Sequence, residues 1–205
     1  MSHRQNWFEG WRLFAVLALT LTALCLWIAG MRQFEVDGVR MVIRFTARSS
    51  LLLFCLAFGA AALARLWPQP WTLWLRRNRR ALGVSLAASH GLHAAAIAGF
   101  AAMDQAGFAA ATNVASYVFG GIGYAFIIAM TATSFDRTAQ AIGPRAWRTL
   151  HLTGGYYLWF QFMVSFGKRI PDMPLYALFL IPLFAVFALR MIAMAPRAQT
   201  TARTG

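Results

Sequence analysis

Apolar residues in this chain neither alternate nor form narrow stripes. They come in six near-continuous runs, approximately 11–30, 48–67, 81–103, 113–134, 147–167 and 174–195. Each run is close to the ~20 residues an α-helix needs to cross a hydrocarbon core at ~1.5 Å per residue. The intervening segments are short and hold most of the charge, so no extramembrane domain is expected. The pattern predicts an all-α integral membrane protein, a six-transmembrane-helix bundle, with 1–205 as a single transmembrane domain and 196–205 as a polar flexible tail. The first run has no convincing small-residue cleavage site, so it is expected to stay as a span rather than be removed as a signal.

Composition strengthens this picture. Apolar residues make up 60% of the 205 and charged residues 12%, against about 25% charged in a typical soluble domain. The net charge of +13 would point to nucleic acid in a soluble protein. Here the arginines sit between runs of spanning length, where they anchor topology, and no nucleic-acid partner is expected. With the N-terminus inside, 13 of the 19 basic residues fall on the inner side and 6 on the outer (Arg32, Arg40, Arg44, Arg48, Lys168 and Arg169). That bias predicts N-in and C-in. Trp67, Pro68, Pro70, Trp71 and Trp74 then read as an interfacial turn on the inner side.

Ionisable groups within the runs are the candidates for chemistry, because placing them in lipid is costly. No Glu lies in any run, and Asp104 sits at the end of the third, which argues against a proton-coupled transporter. Cys25 and Cys55 lie inside runs without metal or disulfide spacing and read as inert buried thiols. Histidines remain. His3 is N-terminal, His90 and His93 lie well inside the third run, and His151 lies in the first turns of the fifth. Neutral imidazole is a common metal and heme ligand, although a lone buried histidine is more often a hydrogen-bonded structural residue. By helix rise His90 lies about 13 Å from Ala81, His93 about 18 Å, and His151 about 6 Å from Trp147. His90 therefore matches the depth of His151 better than His93 does, with either pairing open. Ala87, Ala88, Gly91 and Ala94 to Ala96, with Gly154 and Gly155 beyond His151, leave room for a flat macrocycle or serve close helix packing equally well.

Several motifs in order carry a family resemblance: TARSS at 46–50, ALAR at 62–65, RRALG at 79–83 followed by LH at 92–93, TS at 133–134, and AIGPRAWRTLH at 141–151. Over about 40–170 the chain resembles the ferric reductase-like transmembrane domain, most closely the heme-binding membrane subunits of bacterial protein-methionine-sulfoxide reductase systems. The resemblance implies a b-type heme (heme b) held between the third and fifth helices. By motif position His93 matches the third-helix ligand and His151 the first fifth-helix ligand, while His90 is an extra or substitute candidate. The family commonly has a second fifth-helix histidine about four turns later. Val164 stands there and cannot bind iron, so one heme is expected, held by His151 with His93 or His90. Met163 can serve only if the helix rotates.

The resemblance further implies an electron-transfer subunit rather than a complete enzyme, in a bacterial inner membrane. Its electrons would come from a separate flavin reductase or quinol donor and pass to a partner such as a periplasmic reductase. The alternative is a heme-free six-helix transporter or scaffold that kept the fold and lost redox function. Arg76, Arg77, Arg79 and Arg80 read as topology anchors and contacts with anionic membrane lipid. Arg79 and Arg80 are also candidate partners for heme propionates or an acidic redox partner. FGGIG at 119–123 follows no strand and reads as helix packing rather than a nucleotide loop. With no dinucleotide fingerprint, no flavin or NAD domain is expected. Ser89 reads as a helix–helix hydrogen-bonding residue.

Overall fold

The computed structural model describes residues 8–195; His3 and the tail 196–205 lie outside the described residues. Among the described residues the chain is all helical, with no strand. The order is α1 (Gly10–Gly30), α2 (Val36–Leu66), α3 (Pro70–Arg77), α4 (Arg79–Met103), α5 (Gln105–Ala111), α6 (Val114–Ala132), α7 (Asp136–Gly167), a 3₁₀ turn (Pro174–Phe179) and α8 (Leu180–Met194). Five stretches are long and apolar enough to cross a membrane: α1, α2, α4, α6 and Pro174–Met194. The exterior is correspondingly apolar, with Leu19 72%, Ile128 66% and Ile181 61% exposed.

The fifth expected run, 147–167, is helical but is not among those five. It belongs to α7, whose backbone breaks at Gly143 (φ +77°) immediately before Pro144. Arg148, His151, Thr153 and Gln161 dilute its hydropathy.

Two other boundaries differ from expectation. The run at 48–67 starts twelve residues earlier as a helix, so α2 is 31 residues long and Arg40 and Arg44 lie on it rather than in a loop. Charged side chains do not interrupt backbone hydrogen bonding, so an apolar run underestimates a helix whose polar face has somewhere to go. The tryptophan-rich turn is a short helix, α3, started by Pro70 at its first position and capped by Gln69 and Thr72. Fixed φ and a missing N–H suit proline to that position.

Asn78 joins α3 to α4. It is 2% exposed; its Oδ1 accepts from Gly10 N at 2.8 Å and its Nδ2 donates to the Trp74 carbonyl at 3.0 Å. Trp74 Nε1 donates to the Phe8 carbonyl at 2.9 Å. These bonds tie the start of α1 to one end of the bundle, here the α3 end. The opposite end carries α5, and its helix starts are capped by Asp104 and Asn113.

The core runs through α2, α4, α7 and α8, around Phe54, Phe58, Leu82, Leu158, Phe162 and Leu183. Helix α6 packs mainly on α7 and only sparingly on α4. A cleft therefore remains between α2 and α4 on one side and α6 and α7 on the other.

Candidate functional site

The TARSS segment builds a polar seam between α2 and α4. Thr46, Ser50 and Ser89 are fully buried. Ser49 and Ser50 each lie 2.9 Å from Ser89 Oγ, which reaches the Thr46 carbonyl at 3.3 Å. Ser89 thus has the helix-joining role expected of it. In a non-aqueous interior such groups must find partners in the protein.

The seam ends at His93, whose Nδ1 lies 2.9 Å from Thr46 Oγ1. The Thr46 hydroxyl has one proton, and it donates to the Val42 carbonyl at 2.7 Å. Its oxygen therefore accepts from Nδ1–H of His93. This assigns the Nδ1–H tautomer, with the Ile43 carbonyl as a further acceptor for the ring, and puts the lone pair on Nε2. Fixing one ring nitrogen in this way is how ligating imidazoles are oriented in metal sites.

The cleft holds two cavities. One, of about 670 Å³, opens toward the α5 end and is lined by His90 and His93. Its far wall is Gly120, Gly121 and Gly123 of α6 with Gln161, Phe162 and Ser165 of α7. A methyl group at Gly120 or Gly121 would meet nothing within 4 Å. Gly120 and Gly121 thus leave space, where the sequence pointed only to packing, whereas a methyl at Gly123 would touch Tyr157 and Leu158 at 3.7 and 3.9 Å, as packing requires. His90 packs by ring contact on His93, Tyr124 and Phe162. Its buried Nδ1 has no partner.

The second cavity, of about 290 Å³, lies toward the α3 end and is lined by His151, Arg79, Arg80, Gly83, Trp147 and Gly155, among others. His151 stacks on Trp147 with centroids 4.3 Å apart. Its Nε2 lies 3.1 Å from Thr133 Oγ1, whose proton goes to the Ala129 carbonyl at 2.7 Å. By the same reasoning His151 carries its proton on Nε2. Arg80 pairs with Asp136.

The expected residues are therefore divided between two places. His90 and His93 share the larger cavity, whereas His151 lines the smaller one with Arg79 and Arg80. Ile127 of α6 and Leu158 of α7 line both cavities. Being 5% and 2% exposed, they form the partition. On α4 the division falls between Leu86 and His90, and on α7 between Gly155 and Leu158. His151 thus lies level with Gly83 and Leu86 and not with His90. Counting residues from run ends missed this because α7 enters the bundle through the bend at Gly143, so its run did not start level with that of α4.

Gly154 and Gly155 serve packing. A methyl at Gly154 would lie 2.8 Å from Met130 Sδ, and one at Gly155 would lie 2.9 Å from the Phe58 ring. Val164 is 46% exposed on the outside of the bundle, and Met163 packs against the core without lining the larger cavity. No histidine or methionine among the described residues faces His93 across that cavity. Among the described residues no three His, Cys, Asp or Glu side chains converge as a metal cage.

Comparison of the chain with family models, curated proteins and solved structures gives no match. A 670 Å³ cavity is in the range for cofactor-sized ligands. It has an apolar wall, a wall of glycines and an oriented imidazole with its lone pair on Nε2. These residues fit a flat metal-bearing macrocycle held by one axial imidazole.

Proposed function

We propose that this chain is a membrane-embedded electron-transfer subunit of the ferric reductase-like kind, carrying one b-type heme in the larger cavity with His93 as axial ligand. The observation that carries this reading is the His93 imidazole, held by Thr46 in the tautomer with its lone pair on Nε2, at a cavity of cofactor size. His90, with its partnerless Nδ1, is a neighbouring polar group and the substitute ligand. His151 is assigned away from the iron, to the smaller cavity.

When bound, heme supplies reversible one-electron chemistry at iron. The chain's own residues position and enclose it. Thr46 orients His93, Gly120 and Gly121 admit the ring, and Phe162 and Leu158 exclude water. Arg79 and Arg80 line the smaller cavity and so are not assigned to the carboxylates of a macrocycle in the larger one.

The proposal includes six spans with N-in and C-in, set by the arginine bias, in a bacterial inner membrane. The donor is a separate flavin reductase or quinol, and the acceptor a partner such as a periplasmic reductase. These assignments rest on the motif resemblance, and the histidine geometry agrees with a cofactor at α4.

The test is an absorption spectrum of the detergent-purified chain before and after dithionite. A Soret band that shifts, with sharper visible bands on reduction, is expected. His93→Ala should remove it, and His151→Ala should leave most of it. A colourless preparation from heme-replete cells would favour the heme-free bundle. Loss of heme with His151→Ala but not with His93→Ala would move the cofactor to the smaller cavity.

A further inference from the structure

The larger cavity is lined by five cations: Arg40, Arg44 and Arg48 from α2, and Lys168 and Arg169 from the end of α7. No Asp or Glu lines it. The three arginines are spaced four residues apart and so fall on one helix face. Arg48 lies two residues beyond Thr46, at the level of the polar seam. The ion pairs Arg77–Glu9 and Arg80–Asp136 lie at the α3 end, and none of the five cations is in an ion pair among the described residues.

Two guanidinium groups converge on one phenol. Arg48 and Arg169 sit 5.8 and 5.5 Å from the Tyr176 ring centroid, and Arg169 also donates to the Tyr176 hydroxyl at 3.2 Å. Arg40 lies over Phe100 at 5.4 Å. Aromatic faces position these groups but do not cancel their charge. Arg44, between Arg40 and Arg48, has no hydrogen bond, ring contact or ion pair among the described residues. Arg40, Arg44, Arg48 and Lys168 are exposed and Arg169 is half-buried, so the cluster stands open to an incoming ligand. Like charges gathered at one cavity are offset most directly by a counter-charge. The α7 C-terminus compensates only part of Lys168 and Arg169. A heme would bring two carboxylates to five cations, leaving an excess either way.

We infer that the α5-end cavity binds a small polyanion carrying two or more carboxylate or phosphate groups, gripped by Arg44 together with Arg48 and Arg169. Guanidinium forks match these groups bidentately. The same chemistry is offered by a soluble anion from the aqueous phase and by an acidic lipid headgroup. The inference does not depend on heme.

The test uses the full chain in nanodiscs of neutral phosphatidylcholine, titrated calorimetrically with citrate and with pyrophosphate at constant ionic strength set by chloride. Saturable binding is expected. Arg44→Gln should weaken it about tenfold or more, as expected for losing a charge-assisted contact. Arg44→Lys should recover part, and Arg77→Gln at the α3 end should change nothing. If instead native mass spectrometry shows phosphatidylglycerol retained by the chain but lost from Arg44→Gln, the ligand is a lipid headgroup and the same chemistry stands.

Two results overturn the inference. One is no Arg44-dependent binding of either probe or lipid. The other is anion binding that vanishes on loading heme, with heme retention itself lost in Arg44→Gln, which would assign these cations to the macrocycle. A colourless chain that binds citrate would remove the heme proposal and leave this one intact.

Discussion

Thr46 is fully buried, and its hydroxyl donates to the Val42 carbonyl, with the Ile43 carbonyl also in reach at 3.1 Å, and accepts from His93 Nδ1. Thr46→Val keeps the shape and removes both. It leaves an imidazole free to rotate or change tautomer. Loss of a partner that orients a ligand typically costs about 10–100-fold in metal affinity. We therefore expect Thr46→Val to fold normally yet weaken heme retention by that order, read by hemin titration of the stripped protein. Thr133→Val removes the corresponding hydroxyl beside His151 and should leave retention unchanged. Equal losses in both variants would argue that the two histidines share one iron. The histidines themselves were legible as candidates because imidazole is rare in apolar runs. The tautomers were not, because they depend on which carbonyl each threonine hydroxyl reaches, and that is set by side-chain rotation within a turn.

At the scale of elements, glycine positions separate packing from space. Gly155→Ala drives a methyl to 2.9 Å from the Phe58 ring, an overpacking of the kind that costs about 1–3 kcal/mol. Gly120→Ala meets nothing within 4 Å, and helix propensity favours alanine by up to about 1 kcal/mol. Thermal unfolding in detergent should show Gly155→Ala melting lower than the parent and Gly120→Ala at or above it. A Gly120→Ala variant that melts lower would mean that α6 closes on α4 and the cavity is not persistent. Sequence pattern recovered α1, α4, α6 and the last span to within a few residues, since lipid demands an apolar exterior of set length. It failed where a helix has an inward polar face. Arg40 and Arg44 made residues 36–47 of α2 look like a loop, although one face of that helix opens on a cavity. Glycines carry no side chain to signal direction, so FGGIG and the pair at 154–155 looked alike.

For the whole molecule the open issue is parity. Five stretches qualify as spans by apolarity, and an odd number would put the N- and C-termini on opposite sides of the membrane. The deciding element is α7. Residues 144–167 are about 36 Å long at ~1.5 Å per residue, enough to cross. Leu158, Phe162 and Phe166 are buried in the core, while His151 and Gln161 line the cavities. His151 and Gln161 thus face the interior, where a hydropathy average counts them although lipid does not meet them, whereas Arg148 and Thr153 are exposed near the start of the span. We expect six crossings. A fluorescent reporter that matures only in the cytoplasm should then glow when fused after Met194, and alkaline phosphatase fused there should be inactive. Phosphatase fused between Met31 and Glu35 should be active. If phosphatase after Met194 were active instead, with the N-terminus still inside, α7 would not span. The cleft beside it would then open to water along its length, and neither a heme nor an anion could be held there in a low-dielectric setting.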